Sequence, residues 1–313
     1  MDKNKKMIIL TGPTAVGKTA LSIALAKKIN GEIISADSMQ VYKYMDIGSA
    51  KISEEEMKGI PHHLINVLMP GEPFNVFRFK EMAGQALEGI YRRSHIPIVV
   101  GGTGFYIQAL LYDIEFSSEG DHTDIRKRLE LEADKEGCEY LHKCLQRVDP
   151  ASADAIHPNN VKRIIRALEF YELNGYPISR HNQKERQKQS PYDFCYFVLN
   201  DDRTLLYQRI DERVDMMLSK GLVKEVQALK DRGYQKEMVS MQGLGYKEIL
   251  AYLDGECSLD EAVYLIKRDT RRFAKRQLTW FRREKDVIWI DKPSFDYDEQ
   301  KILDYMIKNF YKL

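Results

Sequence analysis

Gly12-Pro-Thr-Ala-Val-Gly-Lys18-Thr19 satisfies the phosphate-loop pattern G-x-x-x-x-G-K-[ST] at every specified position. Its surroundings decide whether the match means anything. Met7-Ile-Ile-Leu10 before it is a short apolar run of the kind that forms a buried parallel strand. Leu21, Ala24, Leu25 and Ile29 after it recur at helical spacing. Strand, glycine loop and helix in that order are what the motif requires, which disfavours a glycine-rich turn that binds nothing. Gly12 and Gly17 permit backbone angles that let successive N–H groups converge on phosphate oxygens. The helix start adds a partial positive charge, Lys18 a full one, and the Thr19 hydroxyl is a candidate ligand for Mg²⁺. The motif promises a di- or triphosphate without saying what carries it.

The chain has 313 residues, enough for one large domain or a domain with an insertion. Its formal net charge of +1 points to no polyanion, so only local clusters can. Cys138, Cys144, Cys195 and Cys257 are scattered with no C-x-x-C pair, which argues against structural zinc and suits free thiols in a cytoplasmic protein. The charged start Met1-Asp-Lys-Asn-Lys-Lys6 leads straight into a strand; we read no signal peptide and no membrane span.

Glu32 to Ala36 reads as a second strand with Asp37 at its carboxyl end, the edge where open α/β sheets bind ligands. On position alone Asp37 serves equally as a cap or as a catalytic group. His62 to Val67 is a candidate third strand; its adjacent histidines lack the further ligands that metal binding needs. Phe74 to Arg93 reads as a helix with Phe77, Met82, Ala86, Leu87 and Ile90 mostly inward. Ile96 to Val100 is a buried strand ending in Gly101-Gly102-Thr103-Gly104, either a close approach to a ligand or a tight turn into a helix.

From about Ser117 to Ser190 the periodicity is helical, with candidates Asp124–Lys135, Glu139–Val148 and Val161–Asn174. Lys162, Arg163, Arg166, Arg180, Lys184, Arg186 and Lys188 make this segment basic, as an interaction surface or a solvated cap. Strand character returns at Phe194–Leu199, followed by a helix from Asp202 to Leu218. On it Arg209 and Arg213 share a face, to reach the phosphate site or to pair with Asp202, Asp211 and Asp215. Ser240 to Lys247 is a glycine-broken junction. Ser258 to Lys285 reads as a long helix opened by a capping box of Ser258 and Glu261, with Val263, Ile266, Phe273, Gln277, Trp280 and Phe281 at core spacing. Lys267, Arg268, Arg271, Arg272, Lys275, Arg276, Arg282 and Arg283 crowd its remainder, opposed on the helix only by Asp269 and Glu284, which favours a phosphate backbone as partner. Val287–Ile290 is a last strand and Tyr297–Tyr311 a closing helix.

The expected fold is α/β: a parallel sheet of the P-loop NTPase kind flanked by helices, residues 1–117 and 191–313, with an all-helical insertion over 118–190. Two functions fit the residues. A small-molecule kinase would use the phosphate loop for ATP and Asp37 for the acceptor hydroxyl. An enzyme acting on nucleic acid would use the loop to hold a diphosphate leaving group, and the basic helix and insertion favour it. A non-catalytic nucleotide switch would need γ-phosphate sensors, which we do not find.

Beyond the phosphate loop, Ile34-Ser-Ala-Asp-Ser-Met-Gln-Val-Tyr42, Asp46-Ile-Gly48, Ala50-Lys51, Pro61-His-His-Leu-Ile65, Val100-Gly-Gly-Thr-Gly104, Arg163 with Arg166-Ala-Leu-Glu169, Gly243-x-Gly-Tyr-Lys-Glu248 and Lys275-Arg-Gln-x-Thr-Trp-Phe-Arg282 resemble the tRNA dimethylallyltransferase family, in order and through nearly the whole chain. Lacking the zinc-finger extension of eukaryotic members, the sequence is similar to the bacterial form. The resemblance implies transfer of a dimethylallyl group from dimethylallyl diphosphate to N6 of the adenosine immediately 3′ of the anticodon, with release of diphosphate. It implies Asp37 as general base, and Lys18, Thr19, Thr103 and Arg213 on the leaving group, with Mg²⁺ on Thr19. Gly12, Pro13, Thr14, Ala15, Val16, Gly17, Lys18 and Thr19 would hold the donor diphosphate. Contacts to the tRNA anticodon stem-loop are implied for Asp37, Ser38, Met39, Gln40, Thr103, Arg126, Lys162, Arg163, Arg166, Gly245, Lys247, Lys275, Arg276, Gln277, Trp280 and Arg282, in a monomer that touches no membrane. Two positions depart from the family pattern. Lys162 stands where glutamine is usual, which keeps a donor and loses an acceptor; Val16 replaces a smaller residue and leaves the backbone N–H unchanged.

Overall fold

A computed structural model describes residues 5–116 and 123–313. The charged start over residues 1–4 and the expected start of the insertion at 118 lie outside the described residues. Up to Leu111 and from Pro191 onward the chain forms one compact unit, and Tyr112–Ser190 forms another.

In the first unit the elements run β1 (Lys6–Thr11), α1 (Lys18–Ile29), β2 (Gly31–Ser35), α2 (Glu54–Met57), β3 (His62–His63), α3 (Val76–Arg92), β4 (Ile96–Gly101) and α4 (Gly104–Leu111). The second unit supplies α5 (Thr123–Glu136), α6 (Cys138–Val148), α7 (Pro150–Ala155), α8 (Val161–Asn174) and α9 (Ile178–Glu185). The first then resumes with β5 (Asp193–Asn200), α10 (Arg203–Ser219), α11 (Leu222–Asp231), α12 (Tyr246–Leu253), α13 (Leu259–Phe281), β6 (Val287–Asp291) and α14 (Glu299–Phe310).

The six strands form one sheet in the order β3-β2-β4-β1-β5-β6, every neighbouring pair parallel. Strands buried on both faces need continuous apolar runs rather than alternation. Ile8, Leu10, Ile33, Ile98, Cys195, Phe197 and Leu199 pack with Leu21, Leu25 and Ile29 of α1 and with Ile302, Leu303 and Met306 of α14. The residues between them, Met7, Ile9, Ile34, Val99, Tyr196 and Val198, are buried too. Connections leave β1 toward one edge through β2 and β4 and toward the other through β5 and β6. The carboxyl end of β1 is therefore the switch point where such sheets bind ligands.

Local chemistry sets the boundaries. Asn30 ends α1 in the left-handed conformation, its N–H bonded to Ala26 O. Asp202 caps α10, and Ser258 Oγ accepts the Glu261 N–H at 3.2 Å to open α13. Three expectations need correction. The third strand is only His62–His63, because Leu64 and Asn66 take positive φ and turn the chain out of the sheet. On α3 the buried residues are Phe79, Ala83, Leu87 and Ile90, while Phe77 is exposed. Helix α13 stops at Phe281 rather than Lys285.

The amino end of β2 carries a buried carboxylate. Glu32 accepts from Arg93 Nε (2.8 Å) and Nη2 (2.7 Å), His63 Nε2 (2.7 Å) and His95 Nδ1 (2.6 Å). An ionised carboxylate only accepts, so each ring nitrogen here bears a proton. The Arg93 guanidinium foremost, then the two imidazoles, hold the Glu32 carboxyl down at about 2 against the effect of burial.

The helical unit has its own core of Leu129, Leu141, Leu145, Ala153, Ile164, Ile165, Ala167 and Leu168. Buried Asp149 caps α7 through the Ser152 N–H (3.0 Å) and receives the Ser179 N–H (3.0 Å).

In the sheet unit a Cβ on Gly101 would lie 2.2 Å from Ala36 O. Gly101→Ala should cost about 2–3 kcal/mol of unfolding free energy by overpacking, read as a lowered urea midpoint at unchanged m-value.

Candidate active site

The phosphate loop leaves β1 through a crowded gap. Gly12 has φ of 143°, and a Cβ there would come 2.6 Å from Leu199 O, so no other residue fits. Ala15 (φ 64°) and Gly17 (φ 97°) continue the left-handed winding that turns the loop's N–H groups inward. Val16, the departure from the family pattern, is fully buried in the core beneath. Lys18 Nζ folds back over the loop and donates to Gly12 O (2.9 Å) and Pro13 O (2.8 Å).

Asp37 follows the carboxyl end of β2. Ala36 N–H bonds Val100 O (2.8 Å) and Ala36 O accepts the Thr103 N–H (3.3 Å), which ties Asp37 to the second glycine turn. Asp37 Oδ1 accepts from the amides of Met39 (2.8 Å) and Gln40 (3.3 Å). It therefore caps the turn that follows, as one of its two readings required. Oδ2 takes no hydrogen bond from the described residues, so a second role is open to the same side chain.

Lys18, Arg213 and Asp37 share one electrostatic neighbourhood. Burial foremost, then the Arg213 charge, pushes Lys18 down to about 7, while Asp37 opposes the shift. Burial likewise lowers Arg213, again opposed by Asp37. Two partly desolvated cations beside one carboxylate make a pocket that favours an added anion. The neighbouring Arg209 is spent on buried Asp201, a partner outside the set expected from the sequence. Burial, then the charges of Tyr42 and Asp37, raises the Tyr106 phenol, which stacks on Phe79 at 4.6 Å.

Among the described residues no group of three or more His, Cys, Asp or Glu is arranged to hold a metal. Thr19 is exposed on the first turn of α1, and its hydroxyl has no partner among the described residues. A cation with one protein hydroxyl, completed by phosphate oxygens and water, is the usual situation of Mg²⁺. The donor set fits that ion.

Helix α13 enters the site from the opposite side. Gln277 is buried; its Oε1 accepts the Thr14 N–H (2.9 Å) and its Nε2 donates to Gly102 O (3.0 Å). Both ends of the amide are occupied, so Gln277 staples the two glycine turns together. Trp280, one turn on, lies where a Gly104 side chain would be, 2.2 Å from the built Cβ, and meets Phe105 edge-on at 6.2 Å. Its Nε1 is buried without a partner among the described residues.

The basic surface of α13 also divides. Lys267 and Arg271 pair with Asp215 (2.6 Å) and Asp211 (2.5 Å) of α10, and Arg268 and Arg272 with Asp269 (2.9 and 3.2 Å). The one-signed stripe expected from the sequence is thus largely neutralised over this half. Lys275, Arg276, Arg282 and Arg283 form no ion pair with a described residue and are exposed.

Three more implied tRNA contacts have internal occupations. Gln40 Nε2 reaches Ser49 O (3.5 Å) and Ala50 O (3.4 Å). Gly245 is buried with its N–H on Glu248 Oε2 (2.8 Å), so it hinges α12. Met39 packs against Gly243, its Cε 2.4 Å from where a Cβ would stand. Ser38 is half-buried and Lys247 exposed. In the helical unit Arg126 (2.6 Å) and Arg166 (3.2 Å) converge on buried Glu169, whereas Lys162 and Arg163 are exposed and unpaired among the described residues.

Two residues carried no sequence signal strong enough to find them. Lys292, just past β6, donates to Val16 O at 3.4 Å and brings a further cation beside Gly17. Only its place at a strand's carboxyl end hinted at this. Glu225 on α11 grips the backbone of residues 46–48.

With this geometry in view, the chain was compared with known proteins. A family model for IPP transferase matches residues 40–284, and one for isopentenyl transferase matches residues 5–66. The tRNA dimethylallyltransferase of Lachnoclostridium phytofermentans is 61% identical over 302 residues, 96% of each chain. That of Acetivibrio thermocellus is 54% identical over 97% of this chain and 98% of its own. The crystal structure of the full-length tRNA isopentenylpyrophosphate transferase from Bacillus halodurans superposes with TM-score 0.74 at 43% identity, covering 99% of this chain and 98% of that one. A eukaryotic dimethylallyltransferase acting on tRNA gives TM-score 0.77 at 34% identity, over 92% of this chain and 74% of that one.

The Lys18 environment makes anion binding proton-linked. With the free group near 7, an incoming anion raises its pKa, so binding above pH 7 takes up a proton and weakens as pH rises. Calorimetry with inorganic diphosphate at pH 8, in buffers of different ionisation enthalpy, should register uptake of up to about one proton that Lys18→Met removes.

Proposed function

The chain belongs to the tRNA dimethylallyltransferase family, and from that premise we propose how its own residues carry out the transfer. It is a transferase; the donor is dimethylallyl diphosphate and the acceptor N6 of the adenosine next to the anticodon. The observation that carries the proposal is the electrostatic proximity of Lys18, Arg213 and Asp37 beside the phosphate loop, with one carboxylate oxygen uncommitted.

The amides of Ala15 to Thr19 and the Lys18 ammonium receive the diphosphate, with Lys18 exchanging the carbonyls of Gly12 and Pro13 for phosphate oxygens. Arg213 faces the same charge. Mg²⁺, held by the Thr19 hydroxyl, would neutralise part of the negative charge on the leaving group. An exocyclic adenine amine is a weak nucleophile, because its lone pair is delocalised into the ring. As N6 attacks the allylic carbon, the bond from that carbon to the diphosphate oxygen breaks and the N6 proton passes to Asp37 Oδ2. Oδ1 keeps its bonds to the amides of Met39 and Gln40, so the base does not swing as it takes the proton. Extruding the base from the anticodon stack costs roughly a few kcal/mol. Phosphate contacts from Lys275, Arg276 and Arg282 offset that, and Lys162 and Arg163 add to them from the helical unit. Lys162 acts here as a phosphate contact.

Labelled dimethylallyl diphosphate, Mg²⁺ and unmodified tRNA test the reading, with ATP and a nucleoside as control. Label in tRNA is expected; a phosphorylated nucleoside would establish a kinase instead. Asp37→Ala should lower transfer by about 10²–10⁴-fold while tRNA affinity persists in filter binding; normal turnover would reduce Asp37 to a cap. Reversing charge at Arg276 and Arg282 should weaken tRNA binding and flatten the plot of log K against log salt by about 1–2 units. An unchanged slope removes α13 from the interface.

A further inference from the structure

The segment after Asp37 is held from outside by a device that the reaction does not use directly. Four successive amides, Asp46 to Ser49, turn toward α11 and α12. Glu225 Oε2 accepts from Asp46 N–H (2.9 Å) and Ile47 N–H (2.7 Å), and Oε1 from Gly48 N–H (3.0 Å). The Tyr246 hydroxyl donates to Glu225 Oε1 (2.8 Å) and accepts the Ser49 N–H (3.1 Å). Gly48 lies flat on the Tyr246 ring: a Cβ would stand 2.6 Å from Cζ, so a side chain there would break the contact.

Convergent backbone amides of this kind bind anions. Here the anion is a side chain some 180 residues away in sequence. The pull passes on to the functional turn. The carbonyls of Ser49 and Ala50 receive Gln40 Nε2. Met39 rests on Gly243, three residues before Tyr246. Gln40 and Met39 lend their amides to Asp37 Oδ1. Lys51 closes the loop by donating to Asp46 Oδ1 (2.7 Å), Asn66 Oδ1 (2.6 Å) and Tyr42 O.

We propose that Glu225, with Tyr246, is a positioning residue for the transfer: by filling an amide nest at residues 46–48 it fixes the Asp37–Gln40 turn against the target base. The proposal rests on the function argued above. Glu225 is half-buried in the first turn of α11 and bonds neither Lys18 nor Arg213, so donor binding is independent of it. A base displaced by about 1 Å loses on the order of 10²-fold in rate.

The test uses the full-length chain. Glu225→Ala should lower kcat for tRNA by about 10- to 100-fold, with the Kd of dimethylallyl diphosphate unchanged. Formate or acetate should restore a large part of the loss, since a small carboxylate can occupy the vacated amides, whereas chloride at equal ionic strength should not. Glu225→Gln, which keeps an acceptor oxygen, should fall between. Wild-type kcat in the alanine variant overturns the proposal. So does a loss that carboxylates leave unrelieved, or one accompanied by loss of donor binding. If the wild-type protein itself does not prenylate tRNA, the functional reading fails, and this one fails with it for a separate reason.

Discussion

At the carboxyl edge of this sheet, chain segments approach more closely than any side chain allows. Gly12 passes Leu199 O, Gly101 passes Ala36 O, and Gly102 accepts the Gln277 amide at a place where a Cβ would stand 2.1 Å from Nε2. Everything chemical depends on that crowding. It brings the phosphate loop, the second glycine turn and the Asp37 turn within reach of one another, and it lets a single buried glutamine hold two of them at fixed separation. Hydrogen bonds of Ala36 with Val100 and Thr103 then tie Asp37 to the second glycine turn, and through Gln277 to the loop.

The pocket so formed is electrostatically unbalanced. Lys18 and Arg213 face one carboxylate, and both are held below their ordinary pKa values chiefly by burial. A diphosphate relieves that imbalance, so recognition of the leaving group and its stabilisation arise from the same charges. Around the pocket the protein cancels charge where it is not wanted. The aspartates of α10 neutralise one half of α13 and leave exposed cations toward Trp280, where that helix meets the glycine turn.

Strand and helix positions in the sheet unit were legible because buried parallel strands and amphipathic helices write strong periodicities. The short pieces were not. Helix α7 has only the Asp149 cap and Pro150 at its start, and α9 is eight residues long, so neither accumulates enough periods to stand out. The phosphate loop and Asp37 were marked by motif and strand edge, whereas Arg213 was singled out only by the family resemblance. What one sequence could not tell was occupancy. Gln277 stood at core spacing and Gly245 in a glycine-broken junction, but their internal partners, Thr14, Gly102 and Glu248, become apparent only once the chain is folded. The basic stripe of α13 shows the same limit, part of its counter-charge lying on α10 rather than on the helix itself.

Strand β2 carries a carboxylate near each end, and the contrast explains what distinguishes scaffold from reagent. Glu32 has every acceptor site engaged by arginine and imidazole hydrogens, so it has no remaining capacity for a proton near neutral pH. Asp37 has one oxygen fully engaged and the other left over. The two groups share the same functional chemistry. What separates them is how many lone pairs are already committed, at one position inside the amino end of β2 and one just past its carboxyl end.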